Sequence, residues 1–220
     1  MPVDPNADIE ITAFDWVPDF ARGLVRDLRP RWACEELGLP YRERLISARE
    51  RPEWYFAEQP WGQVPCLRDG ELSMFESGAI LVHLAEREGK LLPAGGQPRA
   101  DVLSWLFAAF NNVEPGFFEL ANVTIFAAGQ DWAEARKPSL IEAIGKKLDR
   151  LETRLEGREW LGGEFSIADI AMVTILRIPR DSDLITGRPA LHAYRSRGEA
   201  RPAFQRALEA QLAAFEQETA

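Results

Sequence analysis

The sequence predicts a small α/β domain over residues 1–90, a linker over residues 91–98 and an all-helical domain over residues 99–220. Strand-like and helix-like patterns alternate in the first part, which is typical of a mixed sheet covered by helices. The linker is rich in proline and glycine, and beyond it apolar residues recur at helical spacing. These observations favour two domains with different architectures.

The first part is predicted to follow the order strand, helix, strand, hairpin and helix. Apolar and polar residues alternate over residues 9–14, which indicates a strand, and helix formers then run to Gly38, where the helix ends. Pro30 either kinks this helix or occupies its first turn. Residues 41–46 are predicted as the second strand, an Asp-Gly pair marks the hairpin turn, and residues 77–88 form the next helix.

The helical part carries three signals for the start of a helix. Ser139 with Glu142 three residues later is a capping box, and apolar residues follow it at helical spacing. Ser166 with Asp169 is a second capping box, which we interpret as structural and not catalytic. Pro202 begins the last helix, because proline suits the first helical position. The second part is therefore predicted to be a helical bundle.

The chain is acidic, because 26 Lys and Arg residues oppose 35 Asp and Glu residues and the net charge is -9. An acidic protein repels phosphate backbones and anionic lipids, so neither a nucleic-acid nor a membrane partner is predicted. The N-terminal residues lack the features of a secretory signal, and no apolar run is long enough for a bilayer, so we expect a cytoplasmic protein. Cys34 and Cys66 form no CxxC pair, and no metal site is predicted. Both cysteines are interpreted as small apolar residues of the core.

Three strings in this order resemble the cytosolic glutathione transferase family. They are residues 32–41, the Gly-Gln-Val-Pro string at 62–65 and the Phe-Glu-Ser-Gly-Ala-Ile string at 75–80, and the Ser-Ile-Ala-Asp string at 166–169 adds to them. The resemblance covers nearly the whole chain. It implies a thioredoxin-like N-terminal domain with a mixed four-stranded sheet, a C-terminal helical bundle, glutathione as co-substrate and a homodimer.

The same resemblance implies a glutathione site formed by Gln63, Val64, Pro65, Glu76 and Ser77. In the family the Val-Pro bond is cis, which turns the backbone of the preceding residue outward to pair with an extended peptide; an ordinary trans loop proline is the alternative. Glu76 and Ser77 precede an apolar helix, and a helix N-terminus binds carboxylates. Simple helix capping by Ser77 is the other interpretation, and both can hold together.

The family's thiol-activating residue is missing at its expected place. Members of the family use a Tyr, Ser or Cys between the first strand and the first helix, but the alignment places Leu24 there, and residues 14–31 contain no Ser, Thr, Tyr or Cys. The remaining candidates are the cations Arg22 and Arg26 and the backbone N–H groups of residues 23–25, which can stabilise a thiolate. A solvated helix face is the alternative for these two arginines and for the nearby Arg29 and Arg31, and the sequence leaves both interpretations open for Arg22 and Arg26.

A pocket for the second substrate is predicted from Trp16, Phe20, Trp105 and Asn112, although large aromatic residues are also common in cores. The first functional hypothesis is a transferase or reductase that conjugates or reduces small apolar electrophiles with glutathione. The second is a non-catalytic glutathione-binding or protein-interaction module with the same fold. A carrier of apolar compounds is a third hypothesis.

Overall fold

The computed structural model describes residues 3–179 and 182–216, and the elements named below belong to these ranges. The strands are β1 Ile9–Phe14, β2 Tyr41–Ile46, β3 Cys66–Asp69 and β4 Leu72–Phe75. The helices are α1 Leu28–Leu37, α2 Ser77–Glu88, α3 Gly96–Ala108, α4 Glu114–Ala121, α5 Asp131–Leu155, α6 Ile167–Leu176, α7 Asp183–Thr186, α8 Pro189–Glu199 and α9 Pro202–Ala214. Short π-helical segments, Ala109–Val113 and Asn122–Phe126, flank α4.

The four strands form one sheet in the order β2-β1-β3-β4. Strands β1 and β2 are parallel, whereas β1 with β3 and β3 with β4 are antiparallel. The predicted mixed four-stranded sheet is therefore confirmed. Alternation along β1 buries Ile9, Ile11 and Ala13, which explains why its period-two pattern predicted a strand.

Helix α1 begins only at Leu28, and it ends directly before Gly38, where the sequence predicts its end. Pro30 is its third residue and so occupies the first turn, where its missing N–H would have no partner within the helix. At the other end Gly38 adopts a left-handed conformation with φ of 70°, which suits glycine. The first of the two outcomes predicted for Pro30, a kink, is thereby excluded.

The chain divides into two compact units, Met1–Ala94 with Glu199–Ala220 and Gly95–Gly198. Within the first unit, α1 packs against both α2 and α9. The domain division predicted from the sequence stays a prediction. The compact units differ from it at α9, because the prediction assigned this helix to the helical domain whereas it packs on α1 in the first unit. The predicted linker also ends earlier than residue 98, because Gly96 already begins α3 and Pro98 lies in its first turn.

The capping box predicted at Ser139 is wrong. Helix α5 begins at Asp131 and continues through Pro138 and Ser139 to Leu155. The Ser139 hydroxyl donates to the carbonyl of Arg136 at 3.1 Å, which is a bond inside the helix. Helix formers before the proline extend the helix upstream, so the local Ser-x-x-Glu pattern does not mark its start.

The capping box at Ser166 is confirmed, and its acidic member is fully buried. Asp169 Oδ2 accepts from the backbone N–H of Ser166 at 2.9 Å and from its hydroxyl at 2.9 Å. Asp169 Oδ1 accepts from the backbone N–H of Leu161 at 3.0 Å and from the Tyr194 hydroxyl at 2.8 Å. This carboxylate therefore joins the start of α6 to the preceding loop and to α8, as a structural residue.

None of the helices within 3–179 and 182–216 combines the length and apolar character that crossing a bilayer requires.

Candidate functional site

The turn before β3 and the turn after β4 lie at the same end of one hairpin. Antiparallel pairing places Cys66 opposite Phe75, so the residues before the first and after the second are neighbours across the strands. The predicted binding residues on these two turns are Val64, Pro65, Glu76 and Ser77. The structure thus brings together two motifs that are separate in the sequence.

The Val64–Pro65 peptide bond is cis, as the resemblance implied. The Val64 side chain is buried in an apolar cluster with Tyr55 and Cys66. The Tyr55 hydroxyl donates to the carbonyl of Gln63 at 2.6 Å and so fixes the turn. Within the described part of the chain, no residue pairs with the backbone N–H or C=O of Val64. This backbone is free to pair with an added extended peptide.

The N-terminus of α2 has no side-chain cap. Glu76 is the residue before the helix, is exposed, has a positive φ of 72° and makes no capping hydrogen bond with its side chain. Ser77 is the first helical residue and is buried. The interpretation of Ser77 as a simple cap is therefore wrong, because its hydroxyl oxygen accepts from the Arg29 guanidinium at 3.0 Å. An uncapped helix N-terminus favours an anion, so the predicted anion site at α2 stays a prediction.

Sequence reasoning missed Arg29. This residue lies in the first turn of α1, is only 3 % exposed and places its guanidinium against Ser77 at the start of α2. The alternative of a solvated face is wrong for Arg29 and for Arg31, which is 0 % exposed. A usable signal existed, because Trp32 and Ala33 lie three and four residues later on the same helix face and are apolar. A buried cation beside a helix N-terminus strengthens the attraction for a carboxylate.

The β1–α1 loop, residues 15–27, carries both predicted catalytic arginines, and the structure gives them different surroundings. The Arg26 guanidinium donates to the side-chain oxygen of Gln63 at 3.3 Å and so lies beside the cis-proline turn. The Arg22 guanidinium lies 4.0 Å from the carboxylates of Asp19 and Glu216, at the end of α9. Of these two arginines, only Arg26 reaches a predicted binding residue among the described contacts.

The same loop places Val25 against the turn. Its half-buried side chain packs on the apolar cluster that contains Val64 and Cys66. Its carbonyl accepts from the N–H of Leu28 at 3.1 Å, but no described residue accepts from its own N–H. Leu24, which the sequence comparison predicts for the family's catalytic position, has no side-chain donor. Beside the turn, the loop therefore offers the Arg26 cation and the Val25 N–H instead of a hydroxyl or thiol.

Both cysteines are free and buried, which confirms their interpretation as core residues. Burial raises the pKa of the Cys66 thiol, although the Tyr55 hydroxyl opposes this, and burial also raises the pKa of the Cys34 thiol. A thiol with a raised pKa is a poor nucleophile at neutral pH. In the described ranges no group of three or more His, Cys, Asp or Glu side chains could hold a metal ion.

The four residues predicted for the second-substrate pocket are divided between the two compact units. In the first unit, the Arg49 guanidinium stacks over the Trp16 ring at 4.1 Å, and Phe20 is 48 % exposed. In the second unit, Trp105 is half-buried in α3, and Asn112 is exposed in the first π-helical segment. Their joint role stays a prediction.

Asn112 borders a cleft of about 230 Å³ inside the second unit. The cleft lies between the α4 region and α5, and Val113, Leu140 and Ile144 contribute apolar surface to it. The Lys147 ammonium, which also lines it, donates to the carbonyl of Asn112 at 2.7 Å. Trp105 is not among the lining residues of this cleft, so Asn112 has surroundings that Trp105 does not share.

A mixed four-stranded sheet with a cis-proline turn, together with a helical unit, defines an α/β plus all-α class of fold, and comparison with known proteins identifies the family. The model of the glutathione S-transferase N-terminal domain matches residues 28–94, and that of the C-terminal domain matches residues 120–202. Disulfide-bond oxidoreductase YfcG of Escherichia coli (strain K12) is 36% identical over 79% of this chain and 86% of its own. Glutathione S-transferase 4 of Zea mays is 31% identical over 78% and 82%. The chain belongs to the glutathione S-transferase family.

Solved structures agree with this assignment. A glutathione transferase from Burkholderia graminis with two glutathione molecules bound per subunit has a TM-score of 0.81 at 27% identity, over 91% of this chain and 87% of that one. A family member from Pseudomonas fluorescens Pf-5 with two glutathione bound has a TM-score of 0.80 at 25% identity, over 93% of each chain.

Proposed function

We propose that the protein binds glutathione at the β3–β4 end of the sheet and uses its thiolate to conjugate or reduce small apolar electrophiles. The observation that carries the proposal is the meeting of a free Val64 backbone with an uncapped α2 N-terminus at one end of the hairpin. Glutathione is an extended peptide with a carboxylate and an ammonium at its γ-glutamyl end. Its chemistry therefore matches an added strand followed by an anion site.

Each group of the site has a role in this proposal. The Val64 N–H and C=O pair with the peptide backbone, next to Gln63 and Pro65. Ser77, the α2 N-terminus and the Arg29 guanidinium take the γ-glutamyl carboxylate. The exposed Glu76 carboxylate pairs with the ammonium. The positive φ of Glu76 supports a functional role, because strained backbone is concentrated at ligand-binding positions.

Glu76→Ala is expected to weaken glutathione binding by about 1 to 3 kcal/mol, because the ammonium loses a charged partner. Glu71→Ala is the matched control, since Glu71 is an exposed glutamate on the turn between β3 and β4 and has no proposed role. Calorimetric titration with glutathione measures both. Equal affinities for the Glu76→Ala variant and the wild type would remove Glu76 from the site.

Thiolate stabilisation is assigned in this proposal to Arg26 and the free N–H of Val25, with Arg22 as the second candidate cation. A cation near the sulfur favours the charged form and lowers the thiol pKa. Arg26 is the stronger candidate because it contacts Gln63, whereas Arg22 already faces two carboxylates.

Arg26→Ala is expected to raise the apparent pKa of bound glutathione by about one unit while glutathione still binds. Arg22→Ala is the matched variant in the same loop and is expected to produce a smaller shift. The thiolate absorbance of each complex against pH gives the values. If neither variant moves the titration, cationic activation is wrong and the Val25 N–H remains as the stabilising group.

A second candidate function is the reduction of disulfides by glutathione. Its support is the 36% identical relative named a disulfide-bond oxidoreductase, together with two structural neighbours that hold two glutathione molecules. A bound glutathione thiolate attacks one sulfur of a disulfide, forms a mixed disulfide and releases one thiolate. A second glutathione thiolate then attacks the glutathione sulfur of the mixed disulfide, which gives glutathione disulfide and a second thiolate. The two thiolates take the two protons lost by glutathione, and no protein thiol is needed.

Steady-state assays with an aryl halide and with a small dialkyl disulfide distinguish conjugation from disulfide reduction. If glutathione binds and neither compound reacts, the non-catalytic binding module is the correct alternative. By analogy with the family we also propose a cytoplasmic homodimer and a second-substrate pocket that uses Trp16, Phe20, Trp105 and Asn112.

A further inference from the structure

A fully buried glutamine on α9 binds the β1–α1 loop at two points. The side-chain N–H₂ group of Gln211 donates to the carbonyl of Val25 at 3.1 Å and to Oδ1 of Asp27 at 2.7 Å. Gln211 is 0 % exposed and Asp27 is 1 % exposed. The two acceptors flank Arg26, so one side chain fixes the backbone on both sides of the proposed activating cation.

We propose that Gln211 is a positioning residue, through which α9 holds residues 25–27 where they act on the glutathione thiol. This inference rests on the proposed function and adds to it a contribution from the C-terminal helix. Gln211 acts through Val25 and Asp27, so it is not itself a catalytic residue.

The rest of the Gln211 side chain supports a role beyond filling space. Its Oε1 atom is buried and has no hydrogen-bond partner among the described residues. An unpaired buried acceptor costs free energy, and an apolar side chain of similar size would avoid that cost. The amide is therefore better explained by its two donated hydrogen bonds than by packing.

Asp27, one of the two acceptors of Gln211, is also held by a contact that does not involve Gln211. Asp27 makes no capping hydrogen bond with its side chain at the start of α1, and its Oδ2 atom accepts from Arg31 Nε at 2.7 Å. Burial alone would lower the pKa of Arg31, but the carboxylates of Asp27 and Glu43 raise it, so Arg31 stays charged. The amide of Gln211 completes this buried ion pair on its α9 side.

Other contacts join α9 to α1 without Gln211. The Arg201 guanidinium donates to both carboxylate oxygens of Glu36 at 2.6 and 2.8 Å, and the Arg206 guanidinium donates to Glu35 at 2.6 Å. The ring of Trp32 also meets that of Phe204 edge to face. Removing the Gln211 amide therefore changes the support of the loop and leaves these helix contacts in place.

The test uses the full chain with Gln211→Leu, which removes both donors and keeps a buried side chain of similar size. The control is Gln205→Leu, because Gln205 is an exposed glutamine on the same helix whose side-chain amide donates, within the described ranges, only to the carbonyl of Glu199. Two quantities are measured: the pH titration of the bound glutathione thiolate and the affinity for S-methylglutathione, which has no thiol. Gln211→Leu is expected to reduce the bound thiolate fraction at neutral pH by about three- to tenfold. Its affinity for S-methylglutathione is expected to stay within about twofold of the wild type.

Each outcome decides the inference. A Gln211→Leu complex that titrates like the wild type overturns it, and so does an equal loss of S-methylglutathione binding, because Gln211 then supports the whole site. If circular dichroism shows that Gln211→Leu does not fold, Gln211→Met is measured in the same way, and failure of both variants to fold rejects the inference in favour of a role in folding. A wild-type complex that titrates like free glutathione is a different result, because it contradicts the proposed function itself.

Discussion

Asp169→Ala is expected to lower the free energy of unfolding by about 3 to 5 kcal/mol. The carboxylate is fully buried and accepts four hydrogen bonds, two from Ser166, one from Leu161 and one from Tyr194. Alanine leaves these donors buried without an acceptor, and each unsatisfied donor costs about 1 to 3 kcal/mol, reduced where the structure relaxes. The loss of the capping box adds to this cost.

Asp183→Ala is the matched control for Asp169→Ala. Asp183 is an exposed aspartate at the first position of another helix of the same unit, and among the residues that the structure describes its carboxylate receives only a long contact of 3.5 Å from Thr186. We expect a change below about 1 kcal/mol for the control. Urea unfolding followed by circular dichroism compares the two variants. Similar midpoints for both would show that Asp169 does not organise the helical unit.

Arg29→Met is expected to weaken glutathione binding by about 2 to 3 kcal/mol, which is roughly a 30- to 140-fold change in affinity. Methionine fills the space of the aliphatic stem but removes the cation and the hydrogen bond to Ser77. The γ-glutamyl carboxylate then depends on the α2 N-terminus and the serine hydroxyl alone. Arg29→Lys retains the positive charge, so this variant should lose less affinity for glutathione than Arg29→Met.

The control for Arg29→Met is Arg87→Met, since Arg87 lies at the far end of α2 and pairs with Asp69 and Glu88. Its affinity for glutathione is expected to change by less than about twofold. Calorimetry on folded variants gives both values. If the two methionine variants bind glutathione equally well, Arg29 has no part in carboxylate recognition.

Much of the fold follows from local sequence pattern. The alternation of residues 9–14, the glycines at the ends of helices and the Asp-Gly turn each act within a few residues, so strands and helix ends are predictable from them. The start of α5 is not predictable in this way. Ser139 and Glu142 match a capping box, whereas the helix formers before Pro138 support a longer helix. Local preferences of similar size compete there, and the upstream residues prevail.

The candidate site likewise contains residues that the sequence predicts and residues that it does not. The cis-proline turn and the α2 N-terminus were predictable because their residues carry a family motif. Arg29 was missed because a charged side chain is usually exposed to solvent, although the neighbouring residues on its helix face are apolar. Gln211 could not be predicted from pattern, because its partners Val25 and Asp27 are far away in sequence and become neighbours only when α9 packs on α1.

The thiolate titration of the wild-type glutathione complex tests the central claim most directly, because it measures binding and activation together. With glutathione held at the cis-proline turn and Arg26 and the Val25 N–H near its sulfur, the apparent thiol pKa of the complex should lie clearly below that of free glutathione, toward neutrality. A titration curve that coincides with that of free glutathione at saturating protein would contradict thiol activation and leave a protein that holds the peptide without using it.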